Sequence, residues 1–168
     1  MWAVFDRAPR RVFALLCAGC VAMLSFGLFL QISQGLNPCP MCIVQRYALI
    51  FVAVTSGITA TSGKKSLQIL GALFMFAGAG FGAFVAARQT WLQWYPPEIA
   101  TCGRDFYGMI SDFPLNRAIP MIFKGSGDCA AIDWTFLTLT IANWSFLNFC
   151  LVAAVGLALV WRTLVVRH

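Results

Sequence analysis

Charged side chains are sparse along this chain, and they separate four long apolar stretches. Val12 to Leu30 is 19 residues without a charge, and Ile43 to Gly63 is 21 residues carrying only Arg46. Ser66 to Ala87 is 22 residues with no charge, and Trp134 to Trp161 is 28 with none. A helix crosses a bilayer with about 20 apolar residues rising 1.5 Å each, so every stretch is long enough. The last would measure roughly 42 Å as one helix. Its first part is therefore expected in a loop or at the interface, with the helix starting near Asn143 or Trp144. The pattern predicts an all-α membrane protein, a single domain over residues 1–168 built as a four-transmembrane-helix bundle. The predicted spans are about 12–30, 43–63, 66–87 and 144–161. Gly71, Gly78, Gly80 and Gly82 in the third suit close approach of neighbouring helices.

Composition agrees with this and excludes other classes. The chain is 60% apolar and 11% charged, with a mean hydropathy of +0.79. Soluble domains carry roughly 25% charged residues, so a cytosolic enzyme or nucleic-acid binder is excluded. The net charge of +6 is a topology signal. Arg7, Arg10, Arg11, Lys64, Lys65, Arg162 and Arg167 fall on one side of the predicted bundle, against Asp6 alone. Arg46, Arg88, Arg104, Arg117 and Lys124 on the other side are matched by Glu98, Asp105, Asp112, Asp128 and Asp133. The excess of basic residues marks the cytoplasmic face and places both termini there. The first span is longer than a signal-peptide core and no A-x-A-like site follows it, so it is read as retained.

Two loops then face outward, about 31–42 and 88–143. In the second, Leu115, Ile119, Ile122 and Phe123 fall at helical spacing between Arg117 and Lys124, as in a short helix lying on the membrane. A loop of that length without clear strands is expected to be functional or disordered. Trp91, Trp94 and Trp144 are placed for an interfacial belt.

The candidate chemistry is that of sulfur. The one histidine is His168, and there are seven cysteines. Four of them, Cys39, Cys42, Cys102 and Cys129, lie in the outward loops, where disulfides persist. A Cys102–Cys129 bridge serves equally as a staple or as a redox pair. Cys39 and Cys42 differ, because a C-x-x-C ring restrains little and suits reversible exchange. Cys42 is expected in or beside the first turn of the second span, where the helix terminus carries about half a positive charge and favours thiolate. Arg46, four residues on, shares that helix face. It either reaches lipid phosphate or offsets a Cys42 thiolate and a reduced, anionic cofactor. Cys17, Cys20 and Cys150 lie within predicted spans and are expected to be inert. Two pairs on one face suggest a relay from a protein dithiol through Cys102 and Cys129, then Cys39 and Cys42, to a membrane-dissolved acceptor. With no flavin or nicotinamide fingerprint, a quinone is the natural terminus.

Four spans with inside termini, Cys39-x-x-Cys42-x-x-x-Arg46 at the second span, and Cys102 and Cys129 in a long second outer loop resemble the bacterial disulfide-bond formation protein B family, DsbB. The likeness covers essentially the whole chain. It implies a quinone-dependent thiol oxidoreductase of the bacterial inner membrane, with periplasmic loops, that supports disulfide bond formation. By the same resemblance, Cys102 takes the mixed disulfide with the thioredoxin-like partner DsbA and Cys129 exchanges transiently with Cys39. The redox-active disulfides are Cys39–Cys42 and Cys102–Cys129, and Cys42 and Arg46 stand at a bound ubiquinone or menaquinone. Vitamin K epoxide reductase-like proteins share a two-pair design, but there the loop pair precedes the quinone-side C-x-x-C, and here it follows. Two other classes remain: a four-span scaffold with a stapled loop and inert Cys39 and Cys42, and a tetrathiolate zinc site.

Overall fold

A computed structural model describes residues 9–35, 38–96, 119–120, 122–123, 127–132 and 134–165. Helix α1 runs Pro9–Gln34, α2 Pro40–Thr61 and α3 Lys65–Trp94. A single turn, α4 (Gly127–Ala130), precedes a hairpin of β1 (Thr135–Phe136) and β2 (Leu139–Thr140), and α5 (Ile141–Val165) closes the described chain. Four of these helices, α1, α2, α3 and α5, are long and apolar enough to cross a membrane.

Local chemistry sets where each helix begins and ends. Pro9 and Pro40 open α1 and α2, at the position where a missing N–H costs nothing. Gly35, with φ +63°, follows the end of α1 in the left-handed conformation that glycine adopts freely. Thus α1 continues past Leu30 through Gln31, and the first outer loop is shorter than expected. Arg88 likewise does not end α3, which continues to Trp94. The helix stops at Tyr95, whose backbone is pushed out of the helical region by Pro96. Helix α5 starts at Ile141, ahead of the expected Asn143 or Trp144, because the Thr140 hydroxyl accepts from Asn143 N–H at 3.3 Å and caps the first turn. The stretch expected in a loop before it contains the hairpin, pairing Thr135 with Thr140 and Phe136 with Leu139. Ile119, Ile122 and Phe123 have helical backbone, while Leu115, Arg117 and Lys124 lie outside the described residues.

Helix α3 is the central element, packing against α2 and α5, while α1 packs against α2. Three glycines of α3 make those contacts close, among them Gly71, where a side chain would run into Thr59 of α2. A side chain at Gly82 would run into the Phe149 ring of α5, and one at Gly78 would meet Phe51 of α2 at 2.6 Å. Gly80, expected to serve the same purpose, faces open space. The main core joins Phe13 and Cys20 of α1, Val52 of α2, Met75 and Ala79 of α3, and Phe149 and Val152 of α5. A smaller cluster at the other end brings Cys39 and Met41 against Val85, Leu92, Ile122 and Cys129.

Helix α1 runs antiparallel to α2, as two cross-helix bonds near opposite ends require. Arg10 donates to the carbonyls of Ala60 and Thr61 at one end, and Arg46 to Gln31 Oε1 at the other. Arg10 thereby satisfies carbonyls left open at the end of α2. Of the described basic residues, Arg10, Arg11, Lys64, Lys65 and Arg162 stand at helix ends opposite the one bearing Cys39 and Cys42, while Arg46 and Arg88 lie towards the cysteine end.

Candidate active site

The dipeptide inside the C-x-x-C motif fixes how its two sulfurs are held. Proline disfavours helical backbone in the residue before it, and Cys39 is extended at φ −65°, ψ 158°. Pro40 then opens the helix, so Cys39 becomes the cap and Cys42 the third helical residue. Cys39 Sγ accepts from Cys42 N–H at 3.3 Å, satisfying one of the first-turn donors. The two sulfurs are 2.7 Å apart. Cys42 therefore lies in the first turn, as the spacing predicts.

Cys129, on the short α4, is fully buried and hydrogen-bonds Cys39, which is itself buried. That bond, the one to Cys42 and burial together push the Cys39 thiol pKa up from its ordinary value. Two loop segments far apart in sequence thus bring three of the four predicted site cysteines together. The fourth, Cys102, lies outside the described residues. Of the cysteines expected to be inert, Cys20 is in the main core, Cys17 is half-buried beside Gly57, and Cys150 is exposed on α5.

Cys39 and Cys42 form part of the wall of a cavity of about 510 Å³. Leu24, Phe26 and Leu30 of α1 face Trp144 and Phe149 of α5 across it, and the hairpin contributes Phe136. Trp134, Phe136 and Trp144 form a run of ring contacts with centroids 6.1 Å apart, and Trp144 Nε1 donates to the Phe136 carbonyl at 3.1 Å. A cavity of this size, mostly apolar with a few polar groups, is typical of a small-molecule site. Arg46 lies in the same wall. Its guanidinium donates to Gln31 Oε1 at 2.6 Å, so its hydrogen bond crosses to α1.

Reading charges and cysteines alone misses the four glutamines of this cavity, of which Gln93 accepts from Thr140 Oγ1 at 2.8 Å and the other three reach the cysteines or Arg46, directly or through one another. Gln45 and Gln89 are 6% and 4% exposed, and Gln45 Nε2 donates to Gln89 Oε1 at 2.7 Å. Gln89 Nε2 in turn lies 3.2 Å from Cys42 Sγ and 3.3 Å from Cys39 Sγ. Gln31, the third, holds Arg46. For Gln45 the available signal is an uncharged polar residue in an otherwise apolar run, since buried amides persist only where they find partners.

Helices able to span a membrane, with three cysteines gathered beside an apolar cavity, define a multi-pass membrane thiol protein. Residues 9–159 match the model of the family described as disulfide bond formation protein DsbB, and the chain belongs to that family. It is 66% identical over 158 residues to disulfide bond formation protein B of Polaromonas sp. (strain JS666), covering 94% of each chain. The protein of the same name from Albidiferax ferrireducens is 61% identical over 157 residues, covering 94% of this chain and 90% of the relative. That from Azoarcus sp. (strain BH72) is 48% identical over 157 residues, covering 92% of this chain and 94% of the relative. Family membership makes this a disulfide bond formation protein with a thiol oxidoreductase role.

Proposed function

We propose that the protein is a protein-dithiol:quinone oxidoreductase that reoxidises a periplasmic thioredoxin-like oxidase of the DsbA type. The observation that carries this reading is the cluster of Cys39, Cys42 and Cys129 in and beside the wall of the apolar cavity. In the proposed path the partner's dithiol is oxidised through Cys102 and Cys129, and Cys129 then exchanges with Cys39. Each exchange is thiolate attack on a disulfide sulfur: one S–S bond forms as another breaks, and the displaced sulfur leaves as thiolate. The burial of Cys39 and Cys129 in one cluster supports a transient Cys39–Cys129 disulfide. Attack of Cys129 on Cys39 breaks the Cys39–Cys42 bond and displaces Cys42 as thiolate, which carries the electron pair to the cavity side; Cys39–Cys42 would re-form as that pair left for a bound two-electron acceptor.

The cavity fits a quinone on its own terms. Its apolar wall suits a ring and the start of an isoprenoid tail, and Arg46 offers a donor for a carbonyl oxygen. A bound quinone supplies a two-electron, two-proton acceptor. Arg46 and Cys42 would hold it, Arg46 as cationic donor and Cys42 as the reducing sulfur. The first-turn N–H groups around Cys42 favour its anion. The basic residues gathered at the end away from the cysteines support cytoplasmic termini and periplasmic loops in the bacterial inner membrane.

The test is anaerobic. Purified protein receives a reduced DsbA-type partner with ubiquinone-1 or a soluble menaquinone, and quinone absorbance is followed with wild type and Cys42→Ser. The expected result is one quinone reduced per partner disulfide formed, lost in Cys42→Ser, with the faster of the two quinones naming the acceptor. A wild-type protein inert toward both would favour the stapled scaffold instead.

A further inference from the structure

The amide pair formed by Gln45 and Gln89 is not absorbed by the relay as described, and its geometry points to a role at the sulfurs. We propose that Gln89 is a positioning residue for Cys42: held in one orientation by Gln45, its side-chain N–H groups face the C-x-x-C sulfurs and favour the Cys42 thiolate in the reduced protein. This deepens the reading above and rests on it for its functional meaning.

The argument begins with direction. Gln45 Nε2 donates to Gln89 Oε1 at 2.7 Å, so Gln89 must present its Nε2 to the other side. There it meets Cys42 Sγ at 3.2 Å and Cys39 Sγ at 3.3 Å. Turning the Gln89 amide over would set its N–H groups against those of Gln45 and leave a carbonyl oxygen facing a sulfur anion. With Gln45 Nε2 donating to its oxygen, Gln89 shows the sulfurs its N–H end. Both amides are buried, so water does not compete for these bonds, and hydrogen bonds to a charged acceptor are stronger than those to a neutral one.

The anion is directed to Cys42 and not to Cys39. Cys39 also accepts from Gln89 Nε2 at 3.3 Å, but it is buried in one cluster with Cys129, which disfavours its charged form, whereas Cys42 is only half-buried. Cys42 receives the Gln89 N–H from α3 and sits in the first turn of α2. Arg46, the nearest cation in the cavity wall, spends its short bond on Gln31, which leaves the neutral amide as the direct donor to sulfur. A neutral donor also serves the other protonation state. Cys42 Sγ lies 3.7 Å from Gln89 Oε1, so the same side chain accepts from the thiol.

The experiment uses the full chain in detergent, fully reduced and stripped of quinone, so it reads the thiols without turnover. Iodoacetamide labelling of the Cys42 peptide is quantified by mass spectrometry across a pH series in wild type, Gln89→Met and Gln45→Met. Methionine keeps the packing volume and removes the amide. In Gln89→Met the labelling midpoint should rise by about one to two pH units, so that labelling at neutral pH slows about ten- to hundredfold. Gln45→Met should move it in the same direction by less. A role confined to packing would change the maximal labelling rate and leave the midpoint in place, and an unmoved midpoint in folded Gln89→Met overturns the proposal. If Gln89→Met does not fold, an unmoved midpoint in Gln45→Met overturns it equally. Wild-type quinone reduction, measured separately, tests the underlying function, so the two failures are distinguishable.

Discussion

At the scale of single residues, the behaviour of the site follows from which neighbour each polar group is given. Pro40 makes Cys39 a helix cap, and that choice puts Cys42 in the first turn and Cys39 against Cys129. Arg46 shows the same economy, since its bond to Gln31 ties α2 to α1 at the cavity wall. Replacing it separates the two meanings weighed for this residue. Arg46→Ala should raise the apparent KM for quinone or slow its reduction, by about tenfold for a lost charge-assisted bond, while exchange with the partner continues. Steady-state kinetics at several quinone concentrations measures this. A variant that loses only thermal stability would make Arg46 a structural residue, through its tie to Gln31 or through lipid, and not a quinone ligand. The cysteines and Arg46 were legible in the sequence because their spacing is unusual and an arginine in an apolar run is costly. Gln31, Gln45 and Gln89 were not, because uncharged amides leave no mark on a charge count and Gln31 and Gln89 stand just beyond the apparent span ends.

At the scale of elements, the differences from the sequence reading share one physical cause. A charge does not terminate a helix; caps, glycine and proline do. Helix α3 therefore passes Arg88 and carries Gln89 into the site, and α1 carries Gln31 there. The apolar run before α5 holds a hairpin whose turn residues, Leu137 and Thr138, have φ of 51° and 67°. Neither residue type favours that region, and Thr, being β-branched, is costly there. The double change Leu137→Asn and Thr138→Gly supplies the residues such a two-residue turn prefers. It should stabilise the protein by about 1 kcal/mol or more, read as a higher unfolding temperature in detergent. The contact of α3 with α5 makes the opposite prediction. Gly82→Ala places a methyl group against Phe149 and should destabilise by about 1–3 kcal/mol in the same assay. An unchanged melting temperature would show that α5 shifts freely at that point.

At the scale of the whole molecule, the bundle separates two kinds of surface. Five of the described basic residues stand where α1 begins, α2 ends, α3 begins and α5 ends, and Cys39, Cys42 and Cys129 with the cavity lie at the opposite end. This division was legible in the sequence because it needs only the number of spans and the position of each charge. The cavity itself was not, since it depends on α1 and α5 flanking a space rather than on any motif. Its location matters most, because in the proposed function it is where the thiol chemistry would meet a membrane acceptor. The most direct measurement is photolabelling with an azidoquinone, followed by peptide mapping in the presence and absence of excess ubiquinone-1. Label on α1 between Met23 and Gln31 and on α5 between Ile141 and Phe149, displaced by ubiquinone-1, is the predicted result. Displaceable label confined instead to the apolar groove of Tyr47, Phe51 and Phe81 on the outer face of α2 and α3 would contradict the account.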